Sequence, residues 1–329
     1  MNQHDNVTFQ KIAEEGNGKS AGLNEVKKDQ TLPTISTSVS ARNFLKLDLP
    51  PRRSLIVGLI PEQGRVMVYG PRGIGKTHFA LWLSVFLALG IDFLIWRIKR
   101  PKRVVYLDGE MDARDLRKRL EKIAEQYPDL KDTSKLRLLP LRLYEGIRPD
   151  LETESGQKLL TDCIPERTDL VVIDNLSSWT VSGREDAIAW ASIERWIQMI
   201  NRRGAAVLIV HHSGKRTGTQ RGTSKREDQV EVIAALRPVS NSVPSDGAKF
   251  QVWIEKGREL IGDAKKPFQA ELVEGPTGQE WLTYEIETSD ALAARIKRLK
   301  AKGLSVTQIA QRVGRNKSTV SRYLSGQIG

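Results

Sequence analysis

Apolar and polar positions along the 329-residue chain fall into two rhythms. Short, nearly continuous apolar runs occur at Val66–Tyr69, Val104–Leu107, Leu136–Leu139, Leu170–Ile173 and Ala205–Val210. Each has the length and β-branched content of a fully buried strand. Longer stretches between them predict helices at Thr77–Leu89, Asp112–Glu125 and Ala187–Arg202. Strands without polar alternation, interleaved with helices, predict a parallel sheet covered on both faces. The rhythm then changes. Val230–Leu236, Phe250–Ile254, Phe268–Leu272 and Trp281–Ile286 are joined by polar turns, which predicts an antiparallel extension. The last forty residues switch to short helices, and no segment repeats.

The first strand and helix are joined by Gly70-Pro71-Arg72-Gly73-Ile74-Gly75-Lys76-Thr77. The spacing G-x-x-x-x-G-K-T, between a strand and a helix, fits a phosphate-binding loop in full. Gly73 and Gly75 let backbone N–H groups curl around phosphate oxygens, and the helix N-terminus adds its positive end. Lys76 reaches the outer phosphates and Thr77 can ligate Mg²⁺. Gly70 through Thr77, together with His78, are the expected ATP-binding residues. The motif changes the reading of Phe79–Trp96, an almost wholly apolar stretch. It begins inside the loop motif and is interrupted by Gly90 and Asp92, so it predicts a buried helix and a turn rather than a membrane span.

Magnesium needs a carboxylate. Asp174 ends the apolar run Asp169-Leu-Val-Val-Ile-Asp174, at the strand end where ligands bind in open parallel sheets. Asp169, at the run's start, reads as structural. Hydrolysis also needs a group that orients water, and Tyr106-Leu-Asp108-Gly-Glu110 at the end of the second strand supplies two candidates. The fifth run ends in Val210-His211-His212, and Lys215–Lys225 (KRTGTQRGTSK) is glycine-rich and basic, suited to a loop that touches phosphate.

This arrangement resembles the RecA-like ATPases of the hexameric replicative helicase group, the AAA-type RepA and DnaB helicases of plasmids and phages. The resemblance covers roughly residues 42–287 and rests most specifically on the phosphate loop and Asp174. It implies a RecA-like α/β ATPase domain over 42–288. It implies that Glu110, ahead of its rival Asp108, activates water. One of His211 and His212, preferably His212, would sense the γ-phosphate. Arg221-Gly-Thr-Ser is similar to the Arg-Gly-Ser element of RepA-type proteins. Lys256-Gly-Arg258 is similar to the Lys-x-Arg pair by which DnaB-type helicases reach a neighbour's site. Arg258 and Arg221 are both candidates for an arginine acting in trans, and either could be an ordinary surface arginine. A homo-oligomer, a hexamer above all, is implied. The sequence departs from the pattern in offering a histidine pair and in showing no clear second basic loop for DNA.

Composition sharpens the partner. The chain is 39% apolar and 28% charged, as soluble globular proteins are, but its net charge is +12. Residues 289–329 hold nine Lys or Arg against one acid, Asp290, so they carry +8 of that total. Concentrated positive charge is the footprint of nucleic-acid contact. Asp290–Lys302 predicts a helix, Ser305-Val-Thr-Gln308 a capping box opening a second, and Asn316 the start of a third. Together they read as an all-α helix-turn-helix domain whose third helix enters the major groove. Lys317, Ser318, Thr319, Ser321 and Arg322 are its expected DNA contacts, with Arg315 on a phosphate. A basic cap that only packs on the ATPase domain is the alternative. Residues 1–41 are polar and apolar-poor, which predicts a disordered tail. The first 20 residues lack the apolar core of a secretory signal, and Cys163 is the one cysteine, so a cytoplasmic protein without intrachain disulfides or membrane attachment is expected.

The expected function is ATP-driven movement along DNA, as in a plasmid or phage replicative helicase, with replication or recombination proteins as further partners. An ATP-switched DNA-binding regulator, or a replication or recombination accessory ATPase without unwinding, is the alternative. A nucleotide-binding scaffold with little turnover is a third class.

Overall fold

The computed structural model describes residues 38–181, 187–212, 229–239, 248–257, 260 and 262–326. The expected disordered tail therefore lies almost wholly outside the described residues. The chain divides into two compact units, 1–51 and 52–329. Within the first, Ser40 caps a single helical turn, α1 (Ala41–Phe44), accepting a hydrogen bond from the Asn43 N–H.

The second unit opens with a small antiparallel pair, β1 (Ser54–Ile56) and β2 (Ile60–Pro61). Then follow β3 (Arg65–Gly70), α2 (Lys76–Leu89), β4 (Val104–Asp108), α3 (Ala113–Gln126) and β5 (Leu136–Pro140). Next come α4 (Glu154–Asp162), β6 (Leu170–Asp174), α5 (Ala187–Arg202), β7 (Ala206–His212) and β8 (Val232–Pro238). Three further strands, β9 (Lys249–Gly257), β10 (Phe268–Gly275) and β11 (Gly278–Glu285), complete the sheet. Among the described residues it has nine strands in the order β11-β10-β9-β8-β3-β7-β6-β4-β5. Every predicted strand and helix of the core is present, with ends moved by at most a few residues. One assignment changes. The run at Val230–Leu236 was expected in the antiparallel extension, but β8 pairs parallel with β3, and the chain reverses only at β9. Its apolar run is buried on both faces like its parallel neighbours, so periodicity alone does not reveal its direction.

Period-two alternation splits the strands between two cores. Val66, Val68, Val104, Tyr106, Leu170, Val172, Leu208 and Val210 face the side covered by α2 and α3. Met67, Tyr69, Val105, Leu107, Val171, Ile173, Val207 and Ile209 face the side that carries Leu160 of α4 and Trp196 and Ile200 of α5. Both faces are dry, which is why the strands read as unbroken apolar runs. Helix α2 is buried along nearly its whole length and ends at Gly90 in the left-handed region, φ 79°. With 14 residues it spans about 21 Å, short of a bilayer's roughly 30 Å core. Among the described residues no helix is long and apolar enough to cross a membrane.

The chain ends in three short helices, α6 (Ser289–Ala301), α7 (Val306–Val313) and α8 (Lys317–Leu324). Leu292, Ile296, Ile309, Val313, Val320 and Tyr323 form their own small core. The Ser305–Gln308 capping box is present in both directions, and Gly314 turns the chain at φ 64°. Leu324 is half-buried, and Tyr323 takes the deeper place.

Candidate functional site

Four parallel strands, β3, β4, β6 and β7, end side by side, and the residues expected to act lie just beyond them. The phosphate loop leaves β3 at Gly70 and enters α2 at Lys76. Gly73 and Gly75 adopt φ 76° and 104°. A Cβ on Gly75 would also stand 2.6 Å from the Ala248 Cβ, so neither conformation nor space admits a side chain there. The Lys76 Nζ donates to the carbonyls of Gly70, at 2.9 Å, and Pro71, at 2.7 Å, and so spans the loop. Burial lowers its pKa to about 8 against the pull of Asp174 and Glu110. The charged neighbours of His78, one residue after Thr77, are Arg119 and Lys122 of α3; burial first, then these two, lower its pKa to about 4.

Asp174 ends β6 on the same face of the sheet as Val172, towards α2. It is 3% exposed. The Tyr106 hydroxyl donates to its Oδ2 at 2.5 Å, and the Thr77 side chain also bonds it. Burial raises the Asp174 pKa, and these two hydrogen bonds oppose the rise. A hydroxyl and a carboxylate thus meet where a strand end faces the first turn of a helix, a pairing suited to a Mg²⁺ ion that keeps water and phosphate oxygens as its other ligands. Among the described residues no group of three or more His, Cys, Asp or Glu could hold a metal by itself.

Asp108 is the register partner of Asp174 on the adjacent strand. The two candidate acids now separate. Asp108 is buried, 2% exposed, and its Oδ1 accepts from the Met111 N–H at 3.3 Å. Burial raises its pKa to about 6. Glu110 stands clear of the strand, its side chain half-exposed. Its Oε1 lies 3.4 Å from His212 Nε2. The His212 contact, then the Asn175 amide and the nearby Lys76 charge, hold its pKa down to about 2 against the cost of partial burial. Glu110 is therefore the ionised, accessible carboxylate, and Asp108 the enclosed one that ties the turn beneath it.

Two residues without a motif build this corner. Gly109 donates its N–H to the Asp174 carbonyl at 2.7 Å, and a Cβ there would sit 2.4 Å from Ser178 Cβ. Only glycine lets β4 end this close to the turn after β6. Asn175, 2% exposed, heads that turn. Its Oδ1 accepts from the Ser177 hydroxyl at 2.6 Å and the Ser178 N–H at 3.2 Å, so its amide nitrogen faces His212 Nε2, 3.0 Å away. In the Nδ1–H tautomer that nitrogen accepts from Asn175; when it carries a proton it donates to Glu110 instead. A lone asparagine and a lone glycine carry no pattern, so neither is visible in the sequence.

Strand parity turns the two histidines to opposite faces. His212 shares the face of Leu208 and Val210, towards the phosphate loop; His211 points the other way and is buried. Arg221 and Arg258, and the basic stretch Lys215–Lys225, lie outside the described residues. The register nevertheless locates the end of β9: Gly257 pairs with Val232, which pairs with Val66. Gly257 thus stands beside the start of β3, while the phosphate loop follows its other end. Four residue steps from Val66 to Gly70, at about 3.3 Å each, separate the two by roughly 13 Å along the strand.

In the C-terminal domain, Arg315, Lys317, Ser318, Ser321 and Arg322 are exposed and Thr319 is half-buried. Arg295 is committed elsewhere, to Glu287 and to the carbonyl of Arg312.

Residues 30–218 match the AAA domain family, and residues 290–326 match a helix-turn-helix domain family. Among solved structures, a KaiC-like protein from the hyperthermophilic archaeon Pyrococcus horikoshii OT3 is similar, with a TM-score of 0.50 and 18% identity over 70% of this chain and 93% of that one. That likeness bears on the fold, a RecA-type mixed sheet. No curated protein matches the sequence.

Proposed function

The chain belongs to the AAA domain family, and from that premise we propose that it is an ATP-hydrolysing DNA motor, a replicative helicase of the plasmid and phage kind working as a ring of six copies. The observation that carries the reading is the meeting of Lys76, Thr77, Asp174, Glu110 and His212 at one sheet edge, in a chain that ends in a helix-turn-helix domain. Each residue has work to do there. Gly70 to His78 enclose the phosphates, and Lys76 exchanges two loop carbonyls for phosphate oxygens. Thr77 and Asp174 would hold Mg²⁺, which when bound would offset the charge that builds on the transferring phosphoryl group. Glu110 stays ionised and orients a water for in-line attack on the γ-phosphorus, so that a new O–P bond forms as the bond to the ADP oxygen breaks. His212 touches Glu110 and ends β7, so it can relay nucleotide state into the basic loop that follows it in sequence.

Gly257, which precedes Arg258 in sequence, ends β9 level with the start of β3, away from the phosphate loop. As a trans-acting arginine Arg258 belongs to the site of a neighbouring copy, where such a residue is worth about 10³ to 10⁵ in rate. Arg221, nine residues after His212, is the other candidate.

Phosphate release with and without single-stranded DNA, together with strand displacement on a forked duplex, tests the reading. A motor hydrolyses ATP faster with single strands and separates the fork. Hydrolysis indifferent to single strands, with no separation, would leave the second reading, an ATP-switched DNA-binding regulator or accessory factor, which the duplex-binding character of a helix-turn-helix favours. Nucleotide binding with no turnover at all would leave a scaffold.

A further inference from the structure

Beside Glu110 lies a cleft of about 330 Å³ that none of the roles above uses. Its lining is Gly109, Leu141, Arg142, Tyr144, Gly146 and Arg148. Two arginines flank one aromatic ring, and the two glycines add no side chain to the walls. Both guanidinium groups are anchored to the corner that holds the candidate catalytic residues. Arg142 Nε donates to the Glu110 carbonyl at 3.5 Å, and Arg148 Nη2 donates to the Ser178 carbonyl at 2.5 Å. Each anchor occupies one of five guanidinium N–H donors, and both arginines are exposed. Tyr144 is half-buried and lines the cleft. Glu145 is the only acid in 141–148 and does not line the cleft.

Anchored guanidinium forks take phosphate, and an aromatic ring takes the face of a nucleobase. The volume sits at the small end of the roughly 300–1,000 Å³ of ligand pockets, enough for one nucleotide unit and far too little for a duplex. We propose that the cleft formed by Arg142, Tyr144 and Arg148 is a contact site for single-stranded DNA, with phosphates on the two arginines and a base on the tyrosine ring. This rests on the reading of the chain as a DNA-dependent ATPase and adds a strand-binding site distinct from the helix-turn-helix, which takes duplex. It also supplies the second basic DNA element that the sequence did not reveal. A strand bound here pulls on groups bonded to the main chain of Glu110 and Ser178, and the Ser178 N–H is bonded to Asn175, the partner of His212. Strand occupancy therefore reaches the water-orienting group through a few hydrogen bonds.

Anisotropy titrations of the full chain with a short oligo-dT and with duplex DNA, across a series of salt concentrations, test the assignment. Arg142→Ala/Arg148→Ala weakens oligo-dT binding about tenfold or more and lowers its salt slope by about 1.4, two phosphates at about 0.7 each. The same variant keeps duplex affinity within about twofold. Tyr144→Ala loses at least about fivefold in oligo-dT affinity while Tyr144→Phe keeps it, as stacking requires. The complementary variant Lys317→Ala/Arg322→Ala loses duplex binding and keeps oligo-dT binding. The proposal is overturned if the arginine pair leaves oligo-dT affinity and slope unchanged, or if oligo-dT binding goes only with Lys317 and Arg322. It is also overturned if AMP binds saturably to Lys76→Ala protein and the arginine pair removes that binding, since the cleft is then a free-nucleotide subsite. A wild-type protein that binds oligo-dT through the cleft but never hydrolyses ATP would sink the motor reading and leave the site standing.

Discussion

At the scale of single residues, the site sorts look-alike groups by environment. Asp108 and Glu110 are two positions apart, yet burial lifts one to about 6 while His212 and Asn175 hold the other near 2. Glu110→Gln should slow hydrolysis about 10²- to 10⁴-fold with nucleotide affinity kept, as loss of a water-orienting base does. Equal rates in mutant and wild type would move the role elsewhere. Lys76→Ala should abolish phosphate release. The Glu110 titration gives a direct check on its partner. A carboxylate whose folded pKa is depressed stabilises the fold above its unfolded value of 4.5, and that contribution is lost as pH falls through about 2. The side chain is 52% exposed, so solvent screens much of the effect. In His212→Ala the largest cause is gone, so the carboxyl should titrate markedly closer to 4.5 by ¹³C NMR. An unmoved midpoint would mean that His212 does not touch it in solution.

At the scale of elements, the phosphate loop and the helices of the DNA-binding domain were legible because each combines a pattern with its context. G-x-x-x-x-G-K-T lies between strand and helix, and a Ser-x-x-Gln box opens an amphipathic turn. What escaped has physical reasons. Helix α4 buries little beyond Leu160, so ESGQKLLTD shows no apolar stripe. The pair β1–β2 is three residues against two. Strand β8 is apolar on both sides, and direction leaves no mark on such a run. Gly109 and Asn175 act through close approach and bond geometry, which spacing does not encode. Gly109→Ala tests the first: its methyl would collide with Ser178, costing about 1–3 kcal/mol as overpacking does. At about 2–4 °C per kcal/mol for a domain of this size, the melting temperature should fall by roughly 2–12 °C. Because Glu110 rides on the displaced turn, kcat should fall further than nucleotide affinity. A variant with wild-type kcat would show that the close approach is dispensable.

At the scale of the whole molecule, charge and chemistry are segregated. The helix-turn-helix holds the densest positive charge, and the parallel strand ends hold the nucleotide residues. Lys317→Ala/Arg322→Ala should weaken duplex binding at low salt, flatten its salt dependence and leave DNA-free hydrolysis unchanged; a fall in that hydrolysis would mean the domain supports the ATPase instead. The antiparallel turn into β9 sets a different test. If Arg258 acts in trans, Lys76→Ala and Arg258→Ala proteins are each inert alone, and mixing them should restore part of the activity, because some junctions then pair an intact loop with an intact arginine. Failure to complement would assign the arginine elsewhere. The same reversal has an arithmetic consequence. If Arg258 completes a neighbour's site, each copy receives at one end of its sheet and gives at the other, and copies join only in single file. An open file of n copies has n−1 finished junctions and one copy always waiting, so output per copy climbs with length and reaches its ceiling only when the last copy meets the first.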